Sequence, residues 1–211
     1  MNKKLKRIIM FTYILLLVVM ISGATYAYFT MIEVSSVSPQ IKTQAATTEW
    51  LIFSTGEPIE IIANEENFAE GMGSLTDKTY GSVLLRTNNN QFVSHNYKIF
   101  LEISDNEFVY TTADNKAELL LKVTDPDGNE ITEIEGLNYV TVNAGQEKEL
   151  SGFDLTNALG RYYFASNYEI STDLETQDIW NVEVTFVNLD SDQNANAGKT
   201  LTGNIRLEKV V

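Results

Sequence analysis

From residue 48 to the C-terminus, apolar and polar residues alternate again and again with a period of two, the spacing of a half-buried β-strand. Thr48, Trp50 and Ile52 share one side of the first such run. Tyr97, Ile99, Leu101 and Ile103 share one side of another, with Lys98 and Glu102 opposed. Trp180, Val182, Val184 and Phe186 oppose Asn181, Glu183 and Thr185, and Ile205 and Leu207 oppose Asn204, Arg206 and Glu208. Further strands are expected at Pro58 to Ile62, Tyr80 to Thr87, Leu119 to Thr124, Glu130 to Ile134, Tyr139 to Asn143 and Arg161 to Ile170. Turn chemistry separates them: Asp125-Pro126-Asp127-Gly128 is a hairpin signal, and Asn88-Asn89-Asn90 marks another connection. Helix-forming residues cluster only at Asn64 to Gly71 and Asp114 to Leu119, enough for a turn or two. About ten short strands must bury their apolar faces against one another, so the expected fold is all-β, an antiparallel β-sandwich with few short helical turns. With no repeat and no composition break after residue 45, residues 45–211 read as one sandwich domain.

The first 33 residues differ from the rest. Lys3, Lys4, Lys6 and Arg7 precede the apolar run IIMFTYILLLVVMI, which ends in the small-residue segment Ser22-Gly23-Ala24-Thr25-Tyr26-Ala27. That order is a secretory signal, residues 1–27. By the small-x-small rule a cut after Ala24, which places Ser22 at minus three, fits better than one after Ala27, which places Thr25 there. Charge is absent from Ile8 to Ile32, which is 25 residues and longer than the roughly 20 that span a bilayer, so 8–32 can also stay as a retained anchor. Either way the basic flank keeps the N-terminus in the cytoplasm and the body lies outside, secreted or on the cell surface. Residues 28–44 are polar and carry Pro39, the pattern of an extended tether or an edge strand.

Composition excludes most catalytic chemistries. With no cysteine there is no disulfide, thiolate metal site or cysteine nucleophile. The one histidine, His95, cannot make a two-histidine metal motif and reads as an ordinary strand-end residue, so no enzyme is expected. Removing residues 1–27 leaves 11 of the 15 basic residues against 29 acidic ones, a net of −18, which opposes any nucleic-acid partner. No cofactor is implied. Calcium is the one candidate ion, because Asp190, Asp192, Asn194 and Asn196 present oxygens at every second position as a cation loop does. Position six of that loop is Ala195 and position twelve is Leu201, where a calcium loop has glycine and a bidentate glutamate. A solvated hairpin loop is the competing reading. Asp125, Asp127, Asn129 and Glu130 form a weaker acidic cluster whose plain reading is a tight turn. Trp50, Tyr162, Tyr163, Phe164 and Trp180 could line a sugar-binding face, although their alternation with polar neighbours places most of them in the core.

The junction Gly23-Ala24-Thr25-Tyr26-Ala27-Tyr28-Phe29-Thr30 resembles the end of the signal peptides of the TasA/camelysin family, exported proteins of Gram-positive bacteria processed by a SipW-type signal peptidase. The strand ending at Trp50-Leu51-Ile52-Phe53 and the block from Trp180 to Leu201 are similar to the layout of such exported proteins. The resemblance implies cleavage between Ala27 and Tyr28 and a jelly-roll-like sandwich serving as an extracellular-matrix, biofilm or fibre component. It also implies self-assembly by donation of an N-terminal strand, for which residues 28–44 are the candidate and Ile32, Val34 and Val37 the apolar side chains. Seventeen extended residues reach about 55 Å at roughly 3.3 Å each, ample to cross to a neighbour. A surface module for wall or host glycan or protein is the alternative. The camelysin branch adds a metalloprotease reading, for which this chain has no HExxH motif.

Overall fold

The protein is described by a computed structural model covering residues 49–63, 75–88, 91–145 and 149–210. Ten strands follow one another: β1 Glu49–Thr55, β2 Ile59–Ile62, β3 Leu75–Thr87, β4 Val93–Asn106, β5 Leu119–Thr124, β6 Tyr139–Asn143, β7 Glu149–Asp154, β8 Gly160–Thr172, β9 Glu175–Phe186 and β10 Thr200–Lys209. They form a six-stranded sheet in the order β1-β3-β9-β5-β7-β6 and a four-stranded sheet in the order β2-β10-β4-β8. Every pairing is antiparallel. From β1 to β5 each strand lies in the other sheet from its predecessor, so the connections cross between layers in a jelly-roll-like manner. The fold is an all-β antiparallel sandwich, and the single-turn helix Asn194–Asn196 is its one short helical turn among the described residues.

The inner faces meet in one core containing Ile59, Ile61, Val83, Leu85, Ile99, Leu101, Leu119, Leu121, Val182 and Val184. Burial of each such side chain contributes about 1.5–3 kcal/mol, which is why the two-residue period dictates which face turns inward. Trp180 lies at the middle of this layer, 1 % exposed. Its indole Nε1 donates to the Tyr97 hydroxyl at 2.8 Å, and the Tyr168 ring meets it edge-on at 5.1 Å. Opposite Trp180 on β3 stands Gly81. A Cβ there would come within 2.8 Å of Ile99 Cδ1 and 2.9 Å of Ile205 Cγ2, so the glycine is what lets β4 and β10 close over β3.

The strand phase read from the sequence holds for β4, β9 and β10, where Ile99, Leu101, Trp180, Val182, Val184, Phe186 and Ile205 are buried and Leu207 packs partly against them. It is off by one in β1. Leu51 and Phe53 pack on the core, whereas Trp50 is 39 % exposed and Ile52 shares its outward side. The cause is the unbroken apolar run Trp50-Leu51-Ile52-Phe53, which offers both faces to the core. Glu130 to Ile134 is not a strand: Glu130 forms one bridge with Thr124 and the chain then leaves the sheet. Asp114 to Leu119 holds no helical turn; Asn115 adopts a left-handed φ of 51° and the chain runs into β5 at Leu119. β7 was not expected, because ELSGFD has no β-branched residue; it forms because β6 pairs along its whole length. Asn64 to Gly71 and residues 1–48 lie outside the described residues.

Beyond the main core, Ala117, Leu120, Val142, Ala144 and Val187 form a satellite cluster on the outer side of β5 and β6. This second layer holds the β9–β10 connection against the sheet.

Candidate functional site

The candidate calcium loop, residues 187–199, links β9 to β10. Two of its side chains turn inward and make it rigid: Gln193 is 1 % exposed and Asn196 is fully buried. Asn196 copies a strand residue with its amide, its Oδ1 accepting from Val109 N at 3.0 Å and its Nδ2 donating to Val109 O at 2.9 Å. Gln193 reaches back into its own loop. Its Oε1 accepts from Leu189 N at 2.8 Å, and its Nε2 donates to Val187 O at 2.9 Å and to the Glu118 carboxylate. Glu118 is itself fully buried, at the end of the β4–β5 connection. Its Oε1 accepts from Thr111 N at 2.9 Å and from Thr111 Oγ1 at 2.5 Å, so both carboxylate oxygens are satisfied.

The other loop residues named from the sequence face elsewhere. Asp190 holds a left-handed φ of 49°, and its carboxyl sits so close to Gly145 that a Cβ there would lie 2.9 Å away. Asp192 Oδ1 accepts from Asn194 N at 3.1 Å, a local turn bond. Asn196 is thus committed to Val109, and Asp192 accepts within its own turn. Among the described residues no three His, Asp or Glu side chains group as a cation site. Sequence reasoning picked the alternate acidic positions and passed over Gln193, because a glutamine in an Asx-rich loop reads as solvated.

The Asp125-Gly128 turn is closed by Asp125, whose Oδ1 accepts from Asn129 N at 2.7 Å, with Gly128 N donating to Asp125 O at 3.1 Å. Asp127 lies near Tyr168 and near Asp178, an inward-facing carboxylate of β9 that accepts from the Tyr97 hydroxyl at 2.8 Å. Burial pushes the Asp178 carboxyl above its ordinary value; Tyr97 offsets part of this and the charge of Asp127 adds to it. Burial likewise raises the Tyr97 hydroxyl. Since Asp178 binds its proton more tightly in the folded state, its stabilising effect is complete below the ordinary carboxylate value of 3.8 and is lost as pH rises through the folded value. Asp178→Asn keeps an acceptor for Tyr97 and removes that loss. Its melting temperature at pH 7 is expected to exceed that of the wild type. Thermal melts of both proteins from pH 3 to pH 8 check this; an equal or lower value at pH 7 would refute the strain assigned to Asp178.

His95, the third residue of β4, turns towards β1, where its Nε2 lies 3.4 Å from Glu49 Oε1. Of the aromatics singled out, Phe164 and Trp180 are buried, Tyr162 packs against the core, and Trp50 and Tyr163 lie on the outer faces. Tyr163 stacks at 4.9 Å on Phe100, over which Arg161 also sits at 5.3 Å. Glu102 ties this face together, accepting from Arg161 Nε at 2.8 Å and Arg206 Nε at 3.0 Å. Those two guanidiniums, Arg161 first, hold the Glu102 carboxyl below its ordinary value.

A groove of about 420 Å³ opens on the outer side of the six-stranded sheet around Lys122, Glu130, Tyr139, Glu149, Ser151 and Glu183. Tyr139 donates to Glu130 Oε1 at 2.5 Å, a bond that raises the hydroxyl to about 12. Burial works against ionisation of Glu130, yet Lys122 at 2.8 Å and Tyr139 hold its carboxyl below the usual range. Ala27, Tyr28, Ile32, Val34 and Val37 lie outside the described residues. Comparison of the chain with family models, curated proteins and solved structures finds no match.

Proposed function

We propose that the protein is a secreted or cell-surface, non-enzymatic structural component, a TasA-like matrix or fibre subunit that is exported through a SipW-type signal. The observation that carries this reading is the place of β1. It is the first described strand and an edge of the six-stranded sheet, so residues 28–44, which precede it, can be donated to a neighbour without opening either sheet. The partners are then further copies of the chain, a signal peptidase during export, and wall or matrix polymers.

Assembly of the exported protein tests the proposal. Fibres or high-mass particles that disappear when residues 28–44 are deleted support it; a chain that stays monomeric at high concentration and binds a glycan at micromolar affinity refutes it. The groove around Tyr139 favours the second reading, a module for wall or host glycan, because an exposed ring beside hydroxyls and carboxylates suits sugar hydroxyls. The N-terminus gives a cheaper check. Protein in the culture medium is expected to have a mass starting at Tyr28, whereas full-length protein confined to membranes would make it a single-pass display protein with 33–44 as its stalk.

Calcium has a weak place in this proposal, at Asp190, Asp192 and Asn194. A chelator titration is expected to leave the melting temperature unchanged, and a fall of several degrees would show that the loop holds the ion after all.

A further inference from the structure

The outer surfaces of the two sheets are not alike. On the four-stranded sheet, β4 shows Ser94, Asn96, Lys98, Glu102 and Ser104, and its one apolar outward residue, Phe100, is buried under Tyr163 and Arg161. On the six-stranded sheet, Leu120 of β5 and Val142 of β6 are buried in the satellite cluster, beside the groove around Tyr139. On the β1-β3-β9 half, five outward side chains are apolar and alternate with Ser54, Ser82, Gln177 and Asn181. Trp50 is 39 %, Tyr80 44 % and Ile179 43 % exposed, with Ile52 and Leu84 half-buried between them.

The register makes these five contiguous. Ile52 stands directly across from Leu84, and Ser54, Ser82 and Ile179 form the next row, with Trp50 and Tyr80 diagonal to the two rows. At the rim Arg86 pairs with Glu175 at 3.4 Å and Lys78 with Glu183 at 2.6 Å. Trp50 shares the row of Arg86 and Glu175, and the two inner rows, Ile52-Leu84-Gln177 and Ser54-Ser82-Ile179, mix apolar with uncharged polar side chains while charge is confined to the rim, the anatomy of a protein interface. We propose that this face is a self-association surface, and that it takes the same face of a second copy about a two-fold axis.

Charge selects the second copy as the occupant. The chain carries a formal net charge of −14, so two copies repel over most of their surface. On the outward side of β1, β3 and β9 each carboxylate is matched by a cation, Glu175 by Arg86 and Glu183 by Lys78, so here two copies meet without net repulsion. A glycan fits this face less well. Between the two rings lie Ile52, Leu84 and Ile179, and the Ser82 hydroxyl is already engaged by Gln177 Nε2 at 2.8 Å, so few polar groups remain to read sugar hydroxyls. The inference rests on the subunit reading and adds a lateral contact that residues 28–44 do not supply.

Position-specific cross-linking of the full chain tests it, because the apolar N-terminal run can gather chains by itself and mass alone would not tell the two contacts apart. A photoreactive phenylalanine derivative is placed at Trp50 or Ile179, and as controls at Ser104 or Asn167 on the other sheet. Irradiation is expected to give a product of twice the chain mass from positions 50 and 179, with at least a tenfold lower yield from 104 and 167. Ile179→Asp, an outward substitution that leaves the melting temperature near that of the wild type, is expected to reduce the product from position 50 at least tenfold. Equal yields from both sheets, no dimer from 50 and 179, or monomers captured on isolated wall polysaccharide through Trp50 would each overturn the proposal. If the wild type forms fibres but gives no dimer from 50 and 179, this surface is wrong and the subunit reading stands; if the wild type forms none, the subunit reading itself falls.

Discussion

Trp180→Ala is expected to cost about 3–5 kcal/mol of stability, the range for truncating a large aromatic in a closed core. The indole is 1 % exposed, opposite Gly81, and it is held from the side by Tyr168 and from above by the Tyr97 hydroxyl. Gly81 brings no side chain that could swing into the hole, and the strands around it are fixed by their registers, so the cavity persists. Trp180→Phe restores most of the volume and loses only the hydrogen bond, which leaves Tyr97 still donating to Asp178. It should cost roughly half as much or less. Denaturant midpoints of the three proteins at pH 7 check the order; an alanine variant within about 1 kcal/mol of the wild type would mean that Trp180 is not closed in as described.

The second large effect is expected at Glu118. Its carboxylate, fully buried, serves Thr111 from one oxygen and Gln193 from the other. Glu118→Ala strips the acceptor from the buried Gln193 amide and from the half-buried Thr111 amide and hydroxyl, and each buried donor left without a partner costs about 1–3 kcal/mol. A total loss of about 3–4 kcal/mol is expected. Glu118→Gln keeps the shape but turns an amide NH₂ towards either Thr111 or Gln193, both donors, and flipping Gln193 would break its bonds to Val187 and Leu189. It should fall between wild type and alanine. Because Gln193 fixes the 187–199 loop, limited proteolysis there should quicken in the same order, while cleavage at the Asp125-Gly128 turn stays unchanged. A variant that loses stability without faster cleavage in 187–199 would show that Glu118 does not act through the loop.

Strand existence was legible in the sequence wherever polar residues interrupt apolar ones strictly, as in NVEVTF of β9 and NIRLEK of β10. It was blurred where they do not. Trp50 to Phe53 gives no phase, and the largest side chain attracted the wrong one, although in an edge strand the tertiary contacts decide. The outward turn of Trp50 is therefore both the main sequence-level error and a part of the proposed contact face. The buried polar cluster was illegible for a different reason. Glu118, Gln193 and Asn196 are residue types that usually stay in water, and only the pairing of the 107–118 segment with the 187–199 loop, separated by some eighty residues, gives them partners inside. Asp178 illustrates the same limit, since its alternation in β9 points inward and only the hydroxyl of Tyr97, which donates to it, explains how a carboxyl is tolerated there.

The order of strands also bears on when this chain can fold. β9 lies between β3 and β5 in one sheet and β10 between β2 and β4 in the other. The last two strands among the described residues, Glu175–Phe186 and Thr200–Lys209, are thus inner members of the two sheets. Before they arrive, β1 and β3 have nothing to join them to β5, and β2 has no neighbour in its own layer. Such sandwiches pay loop-closure entropy early and gain their contacts late, so folding is slow and completed by the final segment. Until residue 209 has arrived the earlier strands can pair only in part, β1 with β3, β4 with β8 and β7 with its neighbours, so both sheets close together and late.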